Sequence, residues 1–143
     1  MGRLDGKVAI ITGAAQGMGA EHCRQFVREG ARVVLTDIDV PRSEALAAEL
    51  GANALFCKHD VTSGAGWQAV VAAAEARFGP VTVLVNNAGI VGTVSPCADL
   101  DEAEYLRICA INQTSVFLGM KHVIPSMKRA GGDIQPIYAQ QSI

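Results

Sequence analysis

The chain has 143 residues, a mass of 15.0 kDa and a formal net charge of −2, from 12 basic and 14 acidic residues. Half of the residues are hydrophobic and the mean hydropathy is +0.25, which excludes a disordered or collagen-like chain. The near-neutral charge offers no field that would gather nucleic acid or an anionic membrane. One globular domain with a buried core is therefore expected.

Cysteine and histidine spacing predicts neither a disulfide framework nor a metal site. The spacing matches no zinc or redox motif, and free thiols are expected at Cys23, Cys57, Cys97 and Cys109. The histidines lack metal or Ser/His spacing, and helix-surface or strand-end positions are expected for His22, His59 and His122. With no leader pattern and no apolar run of roughly 20 residues, a cytoplasmic protein without a membrane segment is expected.

Short apolar runs alternate with longer helical stretches along the first two thirds of the chain. Strands are predicted at 8–12, 31–37, 54–58 and 81–85. Helices are predicted between them at 17–29, 41–50 and 65–78. This alternation is typical of βαβ units, and it predicts a parallel sheet in the order 3-2-1-4 with helices on both faces.

The last third of the chain has a different rhythm. Two helices are predicted at 99–110 and 113–129. The second is expected to expose an apolar stripe, formed by Val116, Met120, Val123 and Met127. The larger aromatic residues are expected in the core, namely Trp67, Phe78 and Phe117.

A glycine-rich loop follows the first predicted strand and opens the first helix. Its three glycines have the spacing G-x-x-x-G-x-G. Gly13 can form a tight turn, Gly17 can allow the backbone to approach a phosphate, and Gly19 can let the helix pack closely against the strand. We expect Gln16 and Met18, which stand between them, to contact a bound dinucleotide as well. A merely flexible loop is the alternative, which the preceding strand and following helix disfavour.

The second predicted strand ends at Asp37. An acidic side chain there can accept hydrogen bonds from both hydroxyls of an adenosine ribose, and it repels a 2′-phosphate. No basic residue lies beside it, since Arg42 is the nearest later candidate, and Asp39 is a weaker competitor for the same role. These residues predict NAD rather than NADP as the cofactor, with a solvated strand-end Asp37 as the alternative.

Further motifs extend the pattern beyond the glycine loop. They are His59-Asp60-Val61 after the third strand, Asn86-Asn87-Ala88-Gly89 after the fourth, and Ile111-Asn112 in the helical stretch. With the loop and in this order, they make the chain from residue 3 to about residue 132 resemble the short-chain dehydrogenase/reductase family. Within that family, the stretches 2–7 and 117–127 make the chain resemble bacterial hydroxysteroid dehydrogenases of the 3α,20β type.

The resemblance implies a Rossmann-type doubly wound α/β fold of three layers. It also implies reversible hydride transfer between NAD(H) and a small alcohol or ketone, hydroxysteroid-like or another secondary alcohol, in a homo-oligomer. Asp60 and the Val61 backbone would then bind adenine, and Asn112 would hold a water in a proton relay. The residues expected along the adenosine ribose are Asn87, Ala88 and Gly89.

The family's catalytic serine and Tyr-x-x-x-Lys motif are missing from these 143 residues. Tyr138 is followed four residues later by Ser142 rather than by a lysine. The chain is therefore expected to be inactive alone, with an NAD-binding domain at 1–132 and a divergent tail at 133–143. The sheet is expected to stop after about the fourth or fifth strand, because Pro136 fits only an edge.

Two functions remain open at this point. One is the cofactor half of an NAD-dependent dehydrogenase. The other is a catalytically silent dinucleotide-binding or interaction module. An unrelated doubly wound binding protein is a third and weaker possibility.

Overall fold

A parallel β-sheet forms the centre of the computed structural model, which describes residues 2–131 and the backbone of residues 137–138. The strand order is β3-β2-β1-β4-β5. The strands are β1 (Val8–Thr12), β2 (Arg32–Asp37), β3 (Ala54–Lys58), β4 (Val83–Asn86) and the two-residue β5 (Ile137–Tyr138). The predicted order of the first four strands and the α/β fold class are confirmed.

Helices cover both faces of this sheet. They are α1 (Gly17–Arg28), α2 (Val40–Leu50), α3 (Gly64–Phe78), α4 (Glu102–Cys109) and α5 (Ser115–Ala130). None of the helices within the described residues is both long enough and apolar enough to span a membrane. Helices α1 and α2 each connect neighbouring parallel strands, whereas α3 leads from β3 across β2 and β1 to β4.

Two hydrophobic clusters, one on each face of the sheet, explain why β1 is apolar throughout. Ile10 packs into a cluster that includes Trp67 of α3 and Val123 of α5. Ile11 packs into the other cluster, which includes Cys23 of α1. Because side chains alternate along a strand, a central strand covered on both faces must be apolar at every position. The three-layer architecture follows from these two clusters.

The fifth strand lies at the edge of the sheet. Its two residues pair in parallel with β4, Ile137 opposite Val85 and Tyr138 opposite Asn86. This position agrees with the expectation that the segment could be only an edge strand. The expected strand residues 133–136, including Pro136, lie outside the described residues.

The two helices predicted in the last third form one helical run. Residues 97–99 form a short 3-10 turn, so the run begins later than predicted, at Glu102. Between α4 and α5 lies a π-helical segment, Ala110–Thr114, which contains Asn112. A π segment inserts one residue into a helix, and it changes which side chains face the sheet.

The expected exposure of Val123 and Met127 on α5 and the expected core position of Phe117 are wrong, whereas Val116 and Met120 are half-buried. Val123 and Met127 are buried against the sheet and α3. The reason is that Gly119 lets α5 pack closely, since a Cβ there would lie 2.7 Å from the Asn86 side chain. Phe117 lies on the opposite side of α5 and is 56% exposed, with the Lys121 ammonium 5.9 Å from its ring centre.

Candidate functional site

A cleft of about 820 Å³ opens at the edge of the sheet where the parallel strands end. Its walls come from the segments that follow all four of the longer strands, which is the position of ligand sites in open α/β sheets. Nine of the twelve predicted site residues line it: Gly13, Gln16, Gly17, Met18, Asp37, Asp60, Val61, Ala88 and Gly89.

The three remaining predicted residues, Gly19, Asn87 and Asn112, are not among the lining residues. Asn87 is buried beneath the glycine loop, and its Nδ2 donates to the carbonyl oxygens of Thr12 and Gly13, both at 3.0 Å. Gly19 is buried as well, and a Cβ there would overlap the Gly13 carbonyl and lie 2.6 Å from Asn87 Nδ2. These two residues therefore shape the glycine loop from below.

The N-terminus of α1 faces the cleft without a capping side chain. Gln16 is the N-cap residue and makes no side-chain hydrogen bond to the helix backbone. In contrast, Asp39 caps α2 and Ser63 caps α3 through backbone N–H groups of the first turn. Gly17 has a positive φ of 57°, and a Cβ there would meet nothing within 4 Å. Open space at an uncapped helix N-terminus suits an anionic phosphate group.

Asp37 links the glycine loop to the end of β2. One carboxylate oxygen accepts from the Ala15 N–H at 3.0 Å, and the other accepts from the Asp39 N–H at 2.9 Å. Each carboxylate oxygen has a second lone pair, so these bonds leave acceptor capacity for two ligand hydroxyls. Asp37 is thus fixed in position at the wall of the cleft.

Asp60 and His59 follow β3 on the same wall. Hydrogen bonds from the Thr62 hydroxyl at 2.7 Å and the Thr62 N–H at 2.9 Å hold the pKa of Asp60 below its ordinary value. Asp60 is thereby an ionised acceptor, suited to a donor such as an adenine amino group.

His59 is at a strand end, as expected, but it is buried rather than on the surface. It is 3% exposed, its ring packs edge-on against Trp67, and its Nδ1 lies 3.3 Å from Thr36 Oγ1. Burial lowers the pKa of His59 to about 4. The imidazole is therefore neutral at pH 7, and it forms part of the cleft floor rather than a charged group.

The loop after β4 forms the opposite wall, and side chains of the helical run hold it in place. Asn112 Oδ1 accepts from the Ile90 N–H at 2.8 Å, and Asn112 Nδ2 donates to the Ile90 carbonyl at 2.7 Å. Glu104 accepts from the Thr93 N–H at 2.9 Å. The structure thus places the Asn112 side chain on the loop backbone.

The sequence analysis missed four lining residues as ligand contacts, namely Ile38, His59, Ile90 and Ile111, and it named a fifth, Asp39, only as a weaker competitor of Asp37. All five are neighbours of predicted residues, or lie within two positions of one, on segments that follow strands or precede Asn112. The signal that could have identified them was therefore position along a segment rather than residue type.

No group of three metal-ligating side chains occurs among residues 2–131.

Comparison with known proteins connects this geometry to a family. Residues 7–141 match the family model described as short chain dehydrogenase. The chain is 48% identical over 132 residues to a 3-alpha-(or 20-beta)-hydroxysteroid dehydrogenase of Mycobacterium tuberculosis, covering 91% of this chain and 50% of that protein. It is 45% identical over 141 residues to a trans-4-hydroxycyclohexanecarboxylate dehydrogenase of Sinomonas cyclohexanicum, covering 92% and 54%.

A solved structure gives the same picture. The 3-ketoacyl-(acyl-carrier-protein) reductase of Brucella melitensis, crystallised with NADH, superposes with a TM-score of 0.90 at 36% identity. The alignment covers 94% of this chain and 57% of that one. The chain therefore spans about half the length of the relatives that it matches.

Proposed function

The chain belongs to the short-chain dehydrogenase family, and we propose that it is the NAD(H)-binding part of an oxidoreductase. The observation that carries this proposal is the cleft itself, in which an uncapped helix N-terminus and a fixed carboxylate stand on one wall. When bound, the nicotinamide accepts or donates the hydride that is exchanged with an alcohol or ketone carbon. Binding and orienting the dinucleotide is the task of this chain.

Each part of the dinucleotide has a suitable partner in the cleft. The pyrophosphate would be bound by the backbone at Gly17 and Met18, where the α1 N-terminus is open. The adenosine ribose would be bound by Asp37, and the adenine amino group by the ionised Asp60. Because β4 lies on the far side of β1 from β2, the nicotinamide half would extend toward Ile90.

NAD(H) rather than NADP(H) is the proposed cofactor, because a 2′-phosphate would bring a second anion against Asp37. We expect the 143-residue chain to bind NADH about tenfold more tightly than NADPH, a difference of about 1.4 kcal/mol. Isothermal titration calorimetry with both nucleotides measures this ratio. The Asp37→Asn substitution should reduce this ratio of affinities. Asp99 lies outside the cleft, so Asp99→Asn should leave the ratio unchanged. Equal or tighter binding of NADPH by the unmodified chain would refute the role of Asp37.

The substrate proposed for the whole enzyme is a secondary alcohol or ketone on an alicyclic ring. The names of the two relatives support this class, since one acts on hydroxysteroids and the other on a hydroxycyclohexane carboxylate. The 3α-hydroxyl of a steroid and the 4-hydroxyl of the cyclohexane carboxylate each lie on a saturated ring, whereas a 20β-hydroxyl lies on the steroid side chain. Hydride-transfer assays with cyclohexanol and a 3α-hydroxysteroid, on a protein that also carries the family's serine and tyrosine–lysine pair, would test the class.

By itself the 143-residue chain should bind the cofactor without turnover. Within it, Tyr105 and Tyr138 are the only tyrosines, and neither is followed by a lysine four residues later. A positioned general base contributes about 10²–10⁴ in rate, and these 143 residues contain no Tyr-x-x-x-Lys motif to supply the family's base. Cofactor-dependent turnover by the pure chain that is lost in Tyr138→Phe would contradict this proposal.

A catalytically silent dinucleotide-binding module is the second candidate, favoured by an intact cleft together with the missing tyrosine–lysine pair. The genomic sequence beyond codon 132, translated in all frames and across any intron, discriminates between the two. A Tyr-x-x-x-Lys motif there supports the dehydrogenase. Its absence, together with NADH binding and no turnover, supports the silent module.

A further inference from the structure

Arg42 stands beside the adenosine end of the cleft, although it does not line the cleft itself. Its guanidinium donates through Nη1 to the side-chain oxygen of Gln16, a lining residue. Its Nε lies 3.6 Å from Oδ2 of Asp39, a second lining residue. Asp37 lies on the same wall, two residues before Asp39. A cation is thus held next to the region proposed for the ribose.

Asp39 has two roles at the start of α2. Its Oδ1 accepts from the Arg42 N–H at 3.2 Å and caps the helix, while its Oδ2 faces the Arg42 guanidinium. The carboxylate therefore offsets the charge of the guanidinium and occupies one of its donor directions. Gln16 occupies another.

An arginine near the adenosine ribose is the side chain that accommodates a 2′-phosphate, because its planar donors match phosphate oxygens. We propose that Asp39 is a second determinant of nucleotide specificity, which disfavours the 2′-phosphate by holding Arg42 in an ion pair. This inference rests on the proposed function. It adds Asp39 as a residue that acts on the ligand through Arg42 rather than by its own contact alone. Asp39 is therefore a positioning residue for Arg42.

The substitution Asp39→Asn tests this with little disturbance of the fold. Asparagine keeps the Oδ1 acceptor that caps α2, but it lacks the charge that pairs with Arg42. The probes are ADP-ribose and 2′-phospho-ADP-ribose, which differ only in the 2′-phosphate and avoid the nicotinamide. Exposed ion pairs are weak, so we expect the affinity for 2′-phospho-ADP-ribose to rise about three- to fivefold. The affinity for ADP-ribose should change less than twofold.

The matched control is the same substitution in an Arg42→Gln background. If Asp39 acts by holding Arg42, the gain for the phosphorylated probe should disappear in Asp39→Asn/Arg42→Gln relative to Arg42→Gln. A merely structural role would weaken both probes together, and a shift in the ratio of their affinities separates the two cases. Thermal unfolding of each variant confirms that the cap is retained.

Three results would overturn the inference. An equal gain in the Arg42→Gln background would show that Asp39 acts only through its own charge. An unchanged ratio in Asp39→Asn, with ADP-ribose still bound, would contradict the inference and leave the proposed function standing. Failure of the unmodified chain to bind ADP-ribose at all would contradict both.

Discussion

The two walls of the cleft are built in different ways. The wall that follows β1, β2 and β3 carries the glycine loop and the carboxylates, and its contacts join residues of neighbouring strand ends, such as Asp37 and Ala15. The wall that follows β4 offers mainly backbone and apolar side chains, and its loop is fastened by Asn112 and Glu104 from the helical run. The first wall offers the hydrogen-bonding and charged groups that would bind a ligand. The second wall is a mainly apolar surface whose position depends on the side chains of Asn112 and Glu104.

This difference predicts that the two walls respond differently to substitution. Changes beneath the glycine loop of the first wall should alter stability and nucleotide binding together, because Gly19 and Asn87 are buried there. Changes on the second wall should loosen one loop and leave the adenosine end intact.

The largest loss of stability and of NADH binding is expected from a substitution at Gly19. The substitution Gly19→Val would force a side chain into the Gly13 carbonyl and Asn87 Nδ2, which are the contacts that shape the glycine loop. We expect the free energy of unfolding to fall by about 3 kcal/mol and NADH binding to be lost. Urea denaturation and calorimetry measure both.

Gly17→Ala is the matched control on the same loop. A Cβ at Gly17 meets no atom within 4 Å, so the cost is only that of the positive φ, about 1 kcal/mol. A Gly19→Val protein as stable as Gly17→Ala would show that the close packing of α1 on the loop does not exist.

The sequence predicted the first wall well, because its determinants are local. Glycine spacing after a strand and an acid at the end of the next strand identify the loop and Asp37 directly. On the second wall it predicted Ala88 and Gly89, but not how that wall is held in place. The bonds between Ile90 and Asn112 join residues 22 positions apart through a π-helical segment, and no periodicity in the sequence signals such a segment. The segment also shifts the helix phase.

The burial of helix faces shows the same limit of prediction from the sequence. An apolar stripe on α5 was recognised, but its partner was not, and so Val123 and Met127 were expected on the surface. Periodicity shows that a stripe exists, whereas burial depends on which element covers it, here α3 and the sheet. Phe117 shows the converse, since an aromatic residue on a helix was expected in the core and is exposed.

A pH effect of intermediate size is expected from His59 on the first wall. Its folded pKa of about 4 lies below the ordinary 6.5, so between these values the unfolded chain binds a proton that the folded chain does not. The stabilising contribution is therefore complete above pH 6.5 and is lost as the pH falls toward 4. The slope from this one group is at most about 1.4 kcal/mol per pH unit.

Urea denaturation between pH 4 and pH 7 measures this effect as a difference between proteins. The unmodified chain should lose stability faster than His59→Gln as the pH falls through this window. Gln68→Ala, at an exposed position of α3 that carries no titratable group, serves as the control and should follow the unmodified chain. Parallel curves for His59→Gln and the unmodified chain would contradict the buried neutral imidazole.

The smallest effect is expected on the second wall, at Asn112. The substitution Asn112→Ala removes both side-chain hydrogen bonds to Ile90, which are exposed and worth about 1 kcal/mol together. Hydrogen exchange at the Ile90 amide should accelerate about fivefold, while ADP-ribose affinity changes less than twofold. Gln113→Ala, at an exposed neighbour in the same segment, should change neither quantity. Unchanged exchange at Ile90 would show that Asn112 does not anchor the loop.

The central claim is that this cleft binds a dinucleotide with its adenosine end on the first wall. A titration of the isotope-labelled chain with NADH, followed through backbone amide resonances, tests it most directly. We expect the largest shifts at residues 13–19, 37–39 and 60–61, with smaller shifts at residues 88–90. Shifts confined to residues outside the cleft, or no saturable shifts at millimolar NADH, would contradict the account.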